Sequence, residues 1–316
     1  NPGPAAIRAS GSRRQISQEE TMCSEHVGAD CKLSELTPDQ VKNTIVRKEK
    51  LSDVLTLLEV RAPLIAASAR AGQFVVVWCG EKSERIPLTI SEWDADRGTI
   101  TIIFQEVGRG TRELGSLEVG EEIPSLAGPL GRPTEIANYG TAVVIGGGVG
   151  TAIARPVAAA LKNAGNTLIT IIGAREKSLI LLEEEMRRIS DELIVTTDDG
   201  SYGRKGLVTD ALAELMESRK VDAVVAIGPL PMMRAVADLT RPHGIKTIVS
   251  LDPIMIDGTG MCGGCRVTVG GKTVFTCVDG PDFDAHQVDW DELRARKSFY
   301  FDQERAASTL TTGGKS

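Results

Sequence analysis

Four side chains near the C-terminal end, Asp257, Cys262, Cys265 and Cys277, stand at spacings that can serve a metal. They lie in DGTGMCGGCRVTVGGKTVFTC, where the first gap skips four residues, the second skips two, and the last cysteine follows twelve positions later. That is the plant-type C-x4-C-x2-C…C spacing of a 2Fe–2S cluster, with aspartate in the first place. Glycines at 258, 260, 263 and 264 suit a loop that wraps closely and leaves little room for Cβ atoms. Two other readings remain open on these residues alone. A zinc knot needs only tetrahedral Cys and Asp ligands and tolerates bulkier knuckles. Buried thiols without a ligand would need neither. The paired glycine turns and the hairpin that follows favour the cluster. Cys23 and Cys31, eight positions apart in a polar segment, read as incidental thiols.

A second group of residues suits phosphates. GGGVGTAIA, from Gly146, follows an apolar run and opens a helical pattern, where glycines let a backbone approach a pyrophosphate. Its glycines at 146, 148 and 150 do not match G-x-G-x-x-G, so a plain strand-to-helix turn is the competing reading. Three later loops, at Gly173 to Arg175, Thr196 to Gly203 and Ile227 to Met233, leave strand C-termini, where open α/β sheets bind ligands. Asp198 and Asp199 are either ribose acceptors or turn formers beside Gly200. Arg175 and Lys177 follow the second strand in place of an acid, which leaves NADP open beside NAD. Upstream, RIPLTIS (Arg85 to Ser91) and VGRGTRELG (Val107 to Gly115) pair an arginine and a hydroxyl with a glycine-rich loop. Such a pair can hold another pyrophosphate, although arginines beside strands are more often solvated.

The elements that must carry these residues fall into two styles. From Asn43, short β-branched segments such as VLTLLEVRAP, GQFVVVWCG and GTITIIFQEVG alternate with turns, as in a small antiparallel barrel. After about Tyr139, strands alternate with amphipathic helices, the pattern of a doubly wound parallel sheet. The fold class expected is therefore α/β plus all-β. The divisions are a poorly ordered or linker extension over 1–42, a barrel over 43–138, an α/β domain over 139–250, a cluster-binding segment over 251–295 and a tail over 296–316. The segment DWDELRARKSFYFDQERAAS near the end reads as helix.

Composition narrows the class further. The chain has 316 residues, enough for two ordinary domains. Aromatics at 4% and a net charge of −7 argue against nucleic-acid binding, which relies on stacking platforms and basic patches. No apolar run approaches the roughly 20 residues of a membrane span. Six clustered cysteines are too few for a disulfide scaffold and favour a reducing compartment, here expected to be cytoplasmic. The opening NPGPAAIRASGSRRQISQEETM is basic and has no acid before Glu19, so organellar targeting is left open.

A barrel, then a nucleotide sheet, then a cluster loop resembles the electron-transfer branch of the ferredoxin–NADP reductase superfamily. RIPLTI, VGRGT, GPLG, IGGGVGTAIARP, TTDDGSYGRKG and DGTGMCGGCRVTVGGKTVFTCVDGPDFD stand as that family would have them, from about Asn43 to Trp290. The chain is similar to dihydroorotate dehydrogenase electron-transfer subunits. It is more similar to the small FAD/2Fe–2S subunits of NADH-dependent reduced ferredoxin:NADP oxidoreductase (sulfide dehydrogenase subunit-like), in which aspartate replaces the first cysteine. The resemblance implies that Arg85, Pro87, Leu88 and Thr89 line FAD, with Gly108, Gly110 and Thr111 near its phosphates. It implies that Gly147, Gly148, Val149, Gly150 and Thr151, with Asp199, Gly228 and Pro229, bind NAD(H) or NADP(H). Asp257, Cys262, Cys265 and Cys277 would hold the 2Fe–2S cluster. Ile227 stands where reductases of the superfamily often carry cysteine, and Arg85 stands four rather than three residues before Thr89.

The activity implied is transfer of electrons from NAD(P)H through flavin and cluster to a partner. That partner would be a larger glutamate-synthase-like subunit with flavin and 4Fe–4S clusters, bifurcating electrons between ferredoxin and NADP. A dihydroorotate dehydrogenase or polysulfide acceptor, or a non-redox zinc-stapled nucleotide module, are the alternatives.

Overall fold

Residues 42–81 and 83–299 are described by the computed structural model. The N-terminal extension, with Cys23 and Cys31, and the tail from residue 300 lie outside the described residues.

The first half holds β1 (Ile45–Lys50), β2 (Leu55–Arg61), α1 (Pro63–Ala66), β3 (Phe74–Trp78), β4 (Arg85–Asp94), β5 (Thr99–Gln105), α2 (Arg109–Ser116) and β6 (Ser125–Leu130). The strands form one antiparallel sheet in the order β1-β2-β5-β4-β3-β6. An isolated bridge between Thr44 and Glu122 joins the two edges, so the sheet curls into a barrel. Alternation does the sorting. In β2, Leu58 and Val60 point into the barrel core, while Leu55 and Leu57 point outward. Those outward leucines are still buried, because Ala152 and Leu181 of the second half cover them.

That second half runs β7 (Thr141–Gly147), α3 (Gly150–Asn163), β8 (Thr167–Ala174), α4 (Glu183–Ile189), β9 (Glu192–Thr197), β10 (Arg204–Lys205), α5 (Val208–Ser218), β11 (Ala223–Ile227), α6 (Leu230–Thr240) and β12 (Lys246–Ser250). The sheet order is β10-β9-β8-β7-β11-β12, all parallel. Strand order reverses between β7 and β11, and that switch point is where open α/β sheets place ligands. Residues of α3 cover one face through Val157, Ala158 and Leu161. Residues of α5 and α6 cover the other through Leu212, Met233 and Val236. With both faces covered, β7 from Ala142 onward and all of β11 are apolar and buried.

Pro156 sits inside α3 and cannot donate to the carbonyl of Ala152 one turn back. Ser91 Oγ of β4 fills the gap, donating to Ala152 O at 2.9 Å in a buried position. A break in one helix therefore becomes a bond between the two halves.

After β12 come β13 (Arg266–Val269), β14 (Lys272–Phe275), α7 (Thr276–Asp279), β15 (Asp282–Asp284) and α8 (Trp290–Lys297). The hairpin β13–β14 matches the one read in CRVTVGGKTVFTC. Strand β15 was not foreseen. It adds to the parallel sheet as an antiparallel edge beside β12, pairing Asp282 with Ser250. Helix α8 takes up the start of the tail segment read as helix, and the remainder from residue 300 lies outside the described residues.

Candidate functional site

A cavity of about 800 Å³ opens at the switch point, between the barrel and the parallel sheet. That is the size of an ordinary cofactor site. The barrel wall carries Pro87, Leu88, Thr89 and Thr111. The opposite wall carries Gly147, Gly148, Val149 and Gly150, with Gly228 and Pro229. Gly148 adopts φ +55, where other residues are strained. A Cβ on Gly150 would collide with the carbonyl oxygen of Ile227 and stand 2.8 Å from Gly228 Cα. The glycines therefore let β7, α3 and β11 converge. They leave the N-terminus of α3, with no acid in its first turn, facing the cavity as an anion site.

Other expected residues sit elsewhere. Arg85 is exposed at the start of β4, outside the cavity lining. Gly108 caps α2, its N–H donating to Thr111 Oγ1 at 3.0 Å. Gly110 is packed so that a Cβ would stand 2.9 Å from Ile86 Cδ1. Thr151 is buried in the first turn of α3, its N–H donating to Gly148 O at 3.1 Å. Asp198 lines the cavity, whereas Asp199 faces a neighbouring hollow with Arg175, Glu176 and Leu179. Backbone and side-chain donation from Ser201 holds the Asp199 carboxyl below its ordinary range.

The cysteine loop lies against the barrel. Gly258, at φ +75, is so close to β3 and β6 that a Cβ would stand 2.8 Å from Leu130 and 3.0 Å from Val76. Asp257 accepts from the N–H of Thr259 at 2.9 Å and of Cys262 at 2.7 Å. Those donors, Thr259 first, hold its carboxyl below the usual range, and so ready to bind a cation. Cys262 is exposed, whereas Cys265 and Cys277 are buried with Sγ atoms 3.1 Å apart. Burial, reinforced by Cys265, pushes the Cys277 thiol up to about 12. Loading a metal there must release that proton.

Among the described residues, no three His, Cys, Asp or Glu side chains converge on a single ion. The four ligand candidates instead form two pairs, Asp257 with Cys262 and Cys265 with Cys277. Two thiolates on one tetrahedral metal stand roughly 3.8 Å apart. Cys265 and Cys277 need to separate by less than about an ångström to reach that. Two pairs suit a two-iron centre better than one zinc ion, so the residues present fit the cluster.

Phe74 and Met255 escaped the sequence reading. Both line the cavity, and both pack in one buried group with Cys265 and Cys277. One layer of side chains thus separates the cavity from the cysteine loop. Phe74 lies in a strand legible only as barrel core. Met255, two residues before Asp257, offered proximity in sequence as its one signal.

Residues 252–289 match the iron–sulfur cluster binding domain of dihydroorotate dehydrogenase B, and residues 144–238 match the oxidoreductase NAD-binding domain. The dihydroorotate dehydrogenase B (NAD(+)) electron transfer subunit homolog of Thermotoga maritima is 46% identical, aligning 87% of this chain with 98% of its own. The chain belongs to the family of dihydroorotate dehydrogenase B electron-transfer subunits. A probable electron transfer subunit of this family from Methanopyrus kandleri is 34% identical over 70% of this chain and 82% of its own. Among solved structures, a chain of NADH-dependent reduced ferredoxin-NADP oxidoreductase, described for flavin-based electron bifurcation, is 46% identical. It superposes with a TM-score of 0.81, covering 86% of this chain and 98% of that one. The Amycolatopsis cytochrome P450 reductase, at 20% identity and a TM-score of 0.54 over 64% of this chain and 65% of its own, shares the fold alone.

Membership makes this chain an electron-transferring oxidoreductase subunit with the ferredoxin–NADP reductase fold, served by NAD(H), FAD and a 2Fe–2S cluster. The zinc reading falls, since the segment that would have held zinc belongs to an iron–sulfur domain. No helix among the described residues is long and apolar enough to cross a membrane.

Proposed function

We propose that this chain is the small subunit of a flavin-based electron-bifurcating oxidoreductase, passing electrons between NAD(H) and a larger flavin and 4Fe–4S subunit of glutamate-synthase type. Ferredoxin and NADP would be served through that partner. The carrying observation is Asp257, an ionised carboxylate already oriented on the Cys262 N–H at the first ligand position. Subunits that serve dihydroorotate oxidation are expected, on the resemblance, to carry a fourth cysteine there instead.

The roles follow from the walls of the cavity. Pro87, Leu88 and Thr89 would hold the flavin against the barrel, with Arg85 at the exposed start of the same strand and Gly108, Gly110 and Thr111 toward its phosphates. The α3 N-terminus, from Gly147 to Thr151, receives the nicotinamide nucleotide pyrophosphate, with Gly228 and Pro229 as the facing wall and Asp199 near the ribose end. Phe74 and Met255 exclude water between flavin and cluster. When bound, the flavin would take the two-electron hydride of NADH and, with the 2Fe–2S cluster, allow its electrons to leave singly. Asp257, Cys262, Cys265 and Cys277 fix the exit point on the barrel side of the sheet.

Replacing Asp257 with Ala removes one of four ligands. Iron per chain should fall about tenfold or more on desalting, with FAD content unchanged. Iron retained at the wild-type level would refute the ligand assignment. Purification of the tagged chain from its source cells tests the partner: a flavin and 4Fe–4S subunit is expected, and a dihydroorotate dehydrogenase would favour the alternative.

A further inference from the structure

Two arginines hold the turn between the cluster cysteines from outside. Arg266 Nη1 donates to Gly263 O at 3.2 Å, and Arg296 Nη2 donates to Gly264 O at 3.1 Å. Arg266 directly follows Cys265. Arg296 comes from α8, beyond the matched iron–sulfur domain, and reaches back across the sequence. Helix α8 is held for this by Trp290 and Leu293, which are buried in the core of the parallel sheet. Among the described residues neither guanidinium is in an ion pair, unlike neighbouring Lys297, which pairs with Asp252 at 2.5 Å, and Arg132, which pairs with Asp279 at 3.3 Å.

The two carbonyls matter because of the peptides they belong to. Gly263 O shares its peptide with the Gly264 N–H, and that N–H donates to Cys262 Sγ at 3.4 Å. A guanidinium on the carbonyl end of a peptide strengthens donation at its N–H end. Gly264 O stands in the same relation to the N–H of Cys265, itself a ligand candidate. Donation to ligand sulfur, and net positive charge nearby, both favour the form of the centre that carries one more electron.

We infer that Arg266 and Arg296 are positioning residues that raise the reduction potential of the 2Fe–2S cluster by polarising the Gly263–Gly264 and Gly264–Cys265 peptides. The inference rests on the cluster assignment given above. The test is a dye-mediated redox titration of the intact holoprotein, followed by electron paramagnetic resonance. Arg266→Gln and Arg296→Gln should each shift the midpoint downward, the double variant further, with iron content and flavin absorbance unchanged. Arg296→Lys, which keeps the charge, should shift less than Arg296→Gln. Midpoints unchanged in loaded glutamine variants overturn the inference. Should both glutamine variants lose iron, Arg266→Lys and Arg296→Lys decide. A lowered midpoint in a loaded lysine variant, which loses the forked donor geometry, supports the inference, whereas an unchanged midpoint or iron loss there too overturns it. Failure of the cluster assignment would look different, as wild-type protein without any 2Fe–2S signal.

Discussion

Asp282 is the most constrained carboxyl near the site. It opens β15, and its Oδ2 accepts from Thr134 Oγ1 at 2.5 Å, while Oδ1 is closed off from solvent and meets no donor at hydrogen-bond distance among the described residues. Other atoms of the residue reach water, but the carboxyl is enclosed, and burial pushes it up to about 6 against partial relief from Thr134 and Ser250. In the unfolded chain it ionises near 3.9. Between those values the folded protein keeps a proton that the unfolded chain has lost. Its contribution is therefore complete below about pH 4 and lost as pH rises through about 6. Asp282→Asn keeps the Thr134 bond and cannot ionise. It should gain roughly 1–3 kcal/mol over wild type between pH 4 and pH 8. Melting curves at both values check this, and a pH-independent difference would argue against it. Nothing in GPDFD marks this aspartate in advance, because its environment is made by a linker residue 148 positions away. The candidate cluster ligands stood out in the sequence for the opposite reason: they follow a short local spacing.

At the scale of elements, what the sequence disclosed depended on period and length. The strand and helix alternation after Tyr139 is strong, and β7, β8 and β11 fall where apolar runs stood. Strand β15 is three residues with no apolar pattern, so only its pairing partner could reveal it. Helix α8 is marked at its start by Asp289, whose side chain accepts from Glu292 N at 2.9 Å. Its last turn closes at Lys297, and the rest of the segment read as helix, from residue 300, lies outside the described residues. The junction of β7 and α3 is the element on which the cavity depends most. Gly150→Ala would press a methyl into the Ile227 carbonyl, a backbone atom that cannot move aside. A cost of about 1–3 kcal/mol is expected, together with weaker NAD(H) binding, read by thermal melting and by nucleotide titration of flavin reduction. Wild-type affinity for the nucleotide would show that the junction tolerates the methyl.

For the whole molecule, the seam between barrel and sheet decides whether the cavity keeps its shape. Its bonds include Ser91 on Ala152, Arg155 with Glu92 at 3.0 Å, Thr134 on Asp282, and Lys246 with Glu135 at 2.7 Å. The ion pairs are largely exposed and worth little. The Ser91 bond is buried, and Pro156 has removed the carbonyl's alternative donor. Ser91→Ala should therefore cost about 1–3 kcal/mol, or several degrees in melting temperature for a domain of this size. Pro156→Ala in the same background should recover part of that loss by restoring the helical donor. Failure of the second change to rescue the first would separate the two residues. The barrel and the sheet could each be read from pattern, but this seam could not, since it joins a serine and a proline that are unremarkable singly.

The chain leaves the parallel sheet at Ser250 and re-enters it at Asp282, opposite the very residue it left, with Leu251 N donating to Pro281 O at 2.9 Å. Residues 251–281 thus form a side excursion whose two ends meet. Such an excursion can be shortened at one point without changing the order of strands in the sheet. A version shortened to a tight turn between Ser250 and Asp282 should still fold and pass electrons from NADH to soluble dyes, while losing delivery to its protein partner.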